Sequence, residues 1–439
     1  MNKNFSKYWL FIGFTALAIS GIFAIFLVLG RSPYFTNLIP HIDFFRSALT
    51  IHVNLSVLIW LLSIFSAIGF LSIQKNFFLA KIPLFLAVSA IAILTFSIFD
   101  FNSKAYINNY VPFTESKFLQ FAIYLFIFAI FINAILIIAD FNFSHNAYIS
   151  SFCGSIIFIL SVFSLVKTYN ILTSQEFKNL FFEADFYEKL FWPFGHILMF
   201  LYSAIAIYAW FTIAMLIASK LGYTANLRLK KGLEICQITN LFCAIIAVPI
   251  CFLYKPSDFE FTDLYTKHMI YFGGFSSSLA IILTAKEFFK IFKFNDNHKF
   301  IFYNFFWSVL LFLSGGFIAL LIEGSNTKIP AHYHGSIIGI SLALMGLSFY
   351  FLEIYGYKII ANHFIKYQAH LYGLGQIIHI TGLAISGGYG ALRKTPAVMQ
   401  SFEGKFYMGL MGFGGFLAII GGFYFIVAVL KILRNERYG

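Results

Sequence analysis

The sequence predicts an all-α fold in which about twelve transmembrane helices form a polytopic bundle. Of the 439 residues, 60% are hydrophobic and only 11% are charged, whereas soluble globular chains carry about 25% charged residues. The apolar residues come in blocks of the roughly 20 residues that a helix needs to cross a bilayer. These blocks repeat to the end of the chain, so residues 1–439 are expected to form a single transmembrane domain.

The predicted spans follow one another along the chain with short polar connections. We expect them at about 8–29, 47–72, 77–98, 118–139, 147–166, 190–219, 232–254, 264–285, 301–322, 332–354, 366–388 and 406–430. No small-residue cleavage site follows the first block, so it is expected to remain as a helix. The longest outer connection contains the Phe-rich, acidic stretch 176–190, which is expected to form an interfacial helix.

Loop charge predicts the orientation. Basic residues are concentrated in the connections that share a side with the N-terminus, including Arg228, Lys230 and Lys231 and the lysines of 286–299. The positive-inside rule then places both termini in the cytoplasm, as expected for a multi-pass protein of a bacterial inner membrane. The net charge of +12 follows from these loop residues, so we expect the lipid bilayer, and no nucleic acid, as a partner.

Histidines within the spans are the candidate functional residues, because a histidine inside a bilayer is costly and usually has a role. His52 lies about two turns into span 2, His196 lies near the start of span 6, and His332 and His334 begin span 10. In the predicted orientation all three spans start at the outer face, so the imidazoles lie at a similar depth. Imidazole is a good ligand for heme iron and for copper, and these residues therefore predict metal centres.

The spacing of the histidine pair in 330-PAHYHGS-336 adds a geometric constraint. Residues two apart on an α-helix point roughly 200° apart, so His332 and His334 cannot hold the same metal on a regular helix. They can hold two centres, one on each flank, which suits two hemes beside one helix. Gly335 and Gly339 are expected to leave room there for a flat macrocycle.

A basic pair follows span 11 on the predicted outer face. Arg393 and Lys394 lie in 386-SGGYGALRKTP-396, on the same side of the membrane as the four histidines. Heme propionates are anions that need basic partners at the membrane surface. The pair is therefore expected to bind the propionates.

These residues lie in segments that resemble the catalytic subunit, subunit I, of the heme-copper oxidase superfamily. Two segments, 46-RSALTIHVNLSVLIW-60 and 190-LFWPFGHILMF-200, are similar to the histidine motifs of the family's spans 2 and 6. The segment 311-LFLSGGFIALLIEGSNTKIPAHYHGSIIG-339 resembles its spans 9 and 10, and 376-QIIHITGLAISGGYGALRKTP-396 resembles the end of its span 11. The resemblance covers most of the chain and implies a twelve-helix bundle.

The resemblance also implies a ligand set. His52 and His334 would bind a low-spin heme, His332 would bind a high-spin heme, and His196 would bind copper. Electrons would come from a partner subunit, a cytochrome c or a quinol, and oxygen would be reduced to water at the high-spin heme. The resemblance thus implies a terminal respiratory oxidase with two hemes, in which copper is possible.

The copper site is where the sequence departs from that family. The family holds copper with three histidines, two of them adjacent near the outer end of span 7, and no such pair follows span 7 here. His268, in 266-TKHMI-270, is the candidate further ligand and belongs either to the end of span 7 or to the start of span 8. Leu198 and Phe200 stand where many members have a glutamate and a cross-linked tyrosine.

These departures leave other functions open. Nitric oxide reductases share the scaffold, but they need glutamates that are not found just after His196. A diverged member could keep the hemes for electron transfer or gas sensing without oxygen chemistry. A transporter without heme would need carboxylates in the membrane core, where the sequence offers almost none.

Overall fold

The structure is a computed structural model that describes residues 3–31, 42–73, 75, 78–100, 103–140, 146–176, 183–222, 226–293, 298–391 and 401–435. Apart from one short hairpin and a few single helical turns, its regular elements are α-helices. In chain order the helices are α1 (Lys3–Arg31), α2 (Ile42–Val53), α3 (Trp60–Ser72), α4 (Lys81–Phe96), α5 (Lys117–Ala139), α6 (Asn146–Leu172), α7 (Glu183–Lys220), α8 (Asn226–Ala247), α9 (Ile250–Leu253), α10 (Phe259–Phe272), α11 (Phe275–Phe288), α12 (Lys299–Ala319), α13 (Lys328–Ile354), α14 (His363–Gly388) and α15 (Phe402–Arg434).

Within the described residues, eleven helical segments are long and apolar enough to cross a membrane. They include α2 with α3 as one span (Phe44–Ser72) and α10 with α11 as another (Phe259–Phe288). The remaining predicted span, 366–388, corresponds to α14, which is a long helix but is not among these eleven. The prediction of an all-α polytopic membrane protein is therefore confirmed.

The start of α7 differs from the prediction. The helix begins at Glu183 and not near residue 190, so the second half of the expected interfacial helix forms the first turns of α7. Glu183 and Asp185 lie in its first turn, where the partial positive charge of a helix N-terminus favours carboxylates. The preceding residues, 177–182, lie outside the described part of the chain.

The chain divides into two compact units, and the helices α1, α2, α7, α8 and α11 contribute residues to both. The first unit contains residues 1–17, 50–208 and 227–283. The second contains residues 18–49, 209–226 and 284–439. The organisation as a single domain remains a prediction.

In the first unit α4 packs on α5, and α6 packs on both α3 and α5. Two hydrogen bonds join polar side chains of its interior to neighbouring helices. Asn133 Nδ2 donates to Ser66 Oγ at 3.0 Å, and Ser6 Oγ donates to the Ala67 carbonyl at 2.5 Å. These bonds tie three of the unit's helices together.

A short hairpin lies between α4 and α5. Strand β1 (Ala105–Tyr106) pairs antiparallel with strand β2 (Phe113–Thr114), with Ala105 opposite Thr114. The ring of Phe113 lies 4.6 Å from that of Tyr187 and 5.3 Å from that of Phe191. The hairpin is therefore packed against α7, which carries His196.

In the second unit α12 packs closely on α13, and the contact is made of glycines. A Cβ on Gly335 would lie 2.4 Å from the Cα of Gly315, and one on Gly339 would lie 2.8 Å from the amide nitrogen of Phe312. The expectation that Gly335 and Gly339 make room for a macrocycle is wrong. The backbone of α12 fills that space, because helices can approach this closely only where side chains are absent.

Candidate metal centre

The two histidines of α13 face different neighbouring helices, as their spacing predicts. His332 Nδ1 lies 2.9 Å from the carbonyl oxygen of Gly315 on α12. His334 Nδ1 lies 2.8 Å from the carbonyl of Pro330, one turn earlier on α13, and its ring centroid lies 4.8 Å from that of His379 on α14. One ring is thus held against α12 and the other against α14.

These hydrogen bonds decide the tautomer of both rings. A carbonyl only accepts, so Nδ1 of His332 and of His334 carries the proton and donates it. In a neutral imidazole the other nitrogen, Nε2, then carries the lone pair. Ligand histidines typically donate their second ring nitrogen to a carbonyl in this way, which orients the ring and raises its basicity. The donor chemistry of both residues therefore fits heme iron.

His379, on α14, is a further histidine beside His334 that is not among the predicted site residues. Its Nδ1 donates to the carbonyl of Met411 on α15 at 2.9 Å. Glycines on α15 make room for it, since a Cβ on Gly414 would lie 2.4 Å from its amide nitrogen and one on Gly415 would lie 3.1 Å from its Nδ1. In the sequence, His379 lies inside the span 11 segment that resembles the oxidases, and this position was the signal that could have identified it. It gives His334 an imidazole neighbour.

His52 is followed by a break in the regular helix. A π-helical segment, Asn54–Ile59, separates α2 from α3, and such segments are frequent at functional sites. Asn54 Nδ2 donates to the carbonyl of Thr50 at 2.9 Å and to that of Pro112 at 2.8 Å. His52 is half-buried and belongs to the first unit, whereas His334 belongs to the second. A shared iron remains a proposal.

His196 has a hydrogen bond at each ring nitrogen. It lies on α7, is 2% exposed, and donates from Nδ1 to the carbonyl of Trp192 at 2.8 Å. Its Nε2 lies 3.0 Å from the hydroxyl of Tyr110 in the hairpin turn. Tyr110 is not recognisable from the sequence, because it lies 86 residues from His196 along the chain and no local motif links the two.

His268 lies on α10 and hence in the eighth span, which decides between its two predicted positions. Its Nε2 donates to the carbonyl of Cys243 on α8 at 2.8 Å. The ring packs against Phe200 and Phe272 at centroid distances of 5.4 and 5.2 Å. Its Nδ1 is buried and has no hydrogen-bond partner among the described residues, so it is an uncommitted donor for a cation.

The donors present do not fit the three-histidine copper site that the resemblance implies. Within the described ranges, no three side chains of His, Cys, Asp or Glu come together to hold a metal. His196 has both nitrogens committed, and His268 offers one lone pair in aromatic surroundings. Arg393 and Lys394 lie outside the described residues, so their role toward propionates remains a prediction.

Comparison with known proteins identifies the family. An uncharacterized protein of Rickettsia prowazekii (strain Madrid E) is 30% identical over 97% of this chain and 95% of its own length. This chain belongs to the same family. A protein of Aquifex aeolicus (strain VF5), also described as uncharacterized, is 24% identical over 82% of this chain and 87% of its own length. No protein-family model matches the chain.

A solved structure shares the fold. A heme-copper terminal oxidase, determined as a dimer by electron cryomicroscopy, superposes with a TM-score of 0.79 over all of this chain and 85% of its own. The two sequences are 15% identical, so the likeness establishes the architecture. The fold of this chain is thus that of a heme-copper terminal oxidase.

Proposed function

We propose that this chain is a heme-carrying membrane oxidoreductase related to the terminal oxidases. His52 and His334 would hold a low-spin heme and His332 a high-spin heme, which when bound would supply the iron chemistry for the reduction of oxygen to water. The observation that carries the proposal is the geometry of α13. It presents two imidazoles to different neighbouring helices, each with its Nδ1 proton bound to a carbonyl. The Nε2 atoms of both rings would therefore be the iron-binding atoms.

The chain's own residues would orient the cofactors. A bound heme supplies one-electron iron chemistry and a place for a diatomic gas. The Gly315 carbonyl fixes the ring of His332, and the Pro330 carbonyl fixes that of His334. Arg393 and Lys394 would pair with the propionates. Electrons would arrive from a partner subunit, a cytochrome c or a quinol, as in the oxidases that the sequence resembles.

A second function is favoured by the state of His196. In this alternative the hemes transfer electrons or bind a gas without reducing oxygen. The hydrogen bonds at both ring nitrogens of His196 support it, because they leave this residue no nitrogen for copper. A nitric oxide reductase is less well supported, since the glutamates that such an enzyme needs are not found just after His196.

Heme analysis of histidine variants tests the proposal. Pyridine-hemochrome assay of the purified protein should give two hemes per chain. His334→Gln should remove the low-spin spectrum, and His332→Gln should remove the high-spin heme that binds carbon monoxide. The matched control is His363→Gln, at the exposed start of α14, which should keep both hemes. A wild-type protein without heme, or equal heme loss in the control, would contradict the assignment.

Oxygen consumption separates the two functions. Heme-loaded protein with a chemically reduced electron donor should consume oxygen if it is an oxidase. His332→Gln should abolish that rate, and His363→Gln should leave it unchanged. Reduction of both hemes without oxygen consumption would favour electron transfer or gas sensing.

A further inference from the structure

The turn of the hairpin is hydrogen-bonded to α7 close to His196. Asn109 Nδ2 donates to Glu188 Oε1 at 2.5 Å, and two turns further along α7 the Tyr110 hydroxyl meets His196. Glu188 and His196 are eight residues apart in sequence, so they lie on one face of the helix. The turn is thus held at two points along that face.

Gly195 is what allows the tyrosine to enter. A Cβ at this position would lie 2.0 Å from Cγ of Tyr110 and 2.4 Å from its Cβ. Any larger residue would displace the ring. The Tyr110 ring also meets Trp192 edge-on at a centroid distance of 5.9 Å and lies 4.8 Å from the His196 ring. The backbone and side chains of α7 therefore form a pocket that fits the Tyr110 ring.

The direction of the hydrogen bond follows from the other side of the imidazole. Trp192 offers a carbonyl, so Nδ1 of His196 must be the protonated nitrogen. Nε2 is then an acceptor, and the Tyr110 hydroxyl donates to it at 3.0 Å. The lone pair that a metal would use is bound to the phenol proton.

We infer that Tyr110 and His196 form a hydrogen-bonded pair that takes the place, in this chain, of the copper centre that the resemblance implies. Tyr110 acts as a positioning residue that holds the imidazole as a neutral acceptor, and this position takes no copper. His268, the other candidate ligand, donates to the Cys243 carbonyl and adds one donor only. The inference goes beyond the proposed function, because it does not depend on heme.

Copper binding is the first test. Purified full-length protein is incubated with excess cuprous ion, desalted, and analysed for copper per chain by mass spectrometry. Wild type and His196→Gln should retain the same amount, because His196 holds none. One copper per chain in wild type that is lost in His196→Gln would overturn the inference. Heme content is measured on the same samples, so failure of the heme proposal is seen separately.

The second test measures which ring nitrogen of His196 carries the proton. In protein with ¹⁵N-labelled histidine, nitrogen resonances that disappear in His196→Gln identify this residue. The wild type should show a protonated Nδ1 and an unprotonated Nε2, and Tyr110→Phe should shift the Nε2 resonance. Tyr265→Phe is the matched control, since its ring packs on the same imidazole at 5.3 Å and shares no hydrogen bond with it among the described contacts.

An Nε2 resonance that moves in Tyr110→Phe and stays in Tyr265→Phe supports the pair. A protonated Nε2 in wild type, or no shift in Tyr110→Phe, contradicts it. If Tyr110→Phe fails to fold, the wild-type spectrum and the copper measurement still decide the question.

Discussion

At the scale of single residues, the Tyr106 hydroxyl of the hairpin lies beside two carboxylates. Its hydroxyl donates to Glu115 Oε1 at 2.6 Å and also makes a short hydrogen bond to Glu183. Burial, together with these two carboxylates, raises the pKa of Tyr106 above its ordinary value of 10.0. The bond from Tyr106, helped by the Lys104 amide, lowers the pKa of Glu115 below its ordinary value of 4.5.

We predict that Tyr106→Phe weakens the pH dependence of stability in acid. A carboxyl with a lowered folded-state pKa stabilises the fold above its ordinary pKa and loses that effect as pH falls through the lowered value. The difference in unfolding temperature between wild type and Tyr106→Phe should therefore shrink as pH falls below 4.5. Thermal unfolding in detergent measures it. Tyr8→Phe, at a side chain that is 49% exposed, should parallel wild type at each pH.

At the scale of elements, glycines decide how α14 packs on α15. A Cβ on Gly375 would lie 2.5 Å from the amide nitrogen of Ala418, and one on Gly382 would lie 2.5 Å from that of Met411. Gly409, also on α15, has nothing within 4 Å of such a Cβ. The contact between the two helices, called the seam below, therefore depends on which positions are glycine and not on how many glycines the helices contain.

This contrast predicts opposite outcomes for two alanine substitutions. Gly382→Ala should destabilise the protein by about 1–3 kcal/mol, because it forces the two backbones apart. Gly409→Ala should be neutral or slightly stabilising, since alanine favours helix by up to about 1 kcal/mol over glycine. Thermal unfolding of the two variants measures the difference. Equal stability of both would show that the seam tolerates a methyl group.

The ends of three helices in the second unit meet at His298. Its Nδ1 accepts from Lys220 Nζ at 3.1 Å, and its Nε2 donates to Glu353 Oε1 at 2.9 Å. Lys220 ends α7, His298 precedes α12, and Glu353 lies in the last turn of α13. A single imidazole thus connects helix ends that are far apart along the chain.

We expect His298→Ala to destabilise the second unit by about 1–2 kcal/mol, because both hydrogen bonds are lost at a partly exposed site. The measurement is again the unfolding temperature. His363→Ala serves as control, since that side chain is exposed at the start of α14. A loss of stability in the control as large as in His298→Ala would argue against the connection.

At the scale of the whole molecule, the charge distribution predicts which ends of the helices face the cytoplasm. By the positive-inside rule, Arg228, Lys230 and Lys231 predict a cytoplasmic start of α8. Lys255, beyond the end of α9, would then lie on the outer face and pairs there with Glu176 at 2.6 Å. The four native cysteines are buried, so an introduced cysteine can report the orientation.

The expected labelling pattern is specific. In a bacterial host, Lys255→Cys should react with a membrane-impermeant maleimide in intact cells, and Lys230→Cys should react only in inverted vesicles. Wild type should react in neither case because its thiols are buried. The reverse pattern would place the N-terminus outside.

Much of this architecture could be read from the sequence, because a bilayer demands long apolar helices and the period of a helix is constant. Span 11, expected at 366–388, is found as α14 over His363–Gly388. The divergence of His332 and His334 also followed from helix geometry alone. The start of α7 was placed too late, because a Phe-rich acidic segment suits an interfacial helix and a helix N-terminus equally well.

What the sequence determined by itself is therefore the helical membrane fold and a set of candidate histidines, since both rest on local periodicity and residue chemistry. Only the tertiary structure decided which donors are engaged. The bond between Tyr110 and His196 joins residues 86 positions apart, and the glycines expected beside a heme instead meet α12. Neither contact has a local signature, because each depends on how separate helices and the hairpin pack in space.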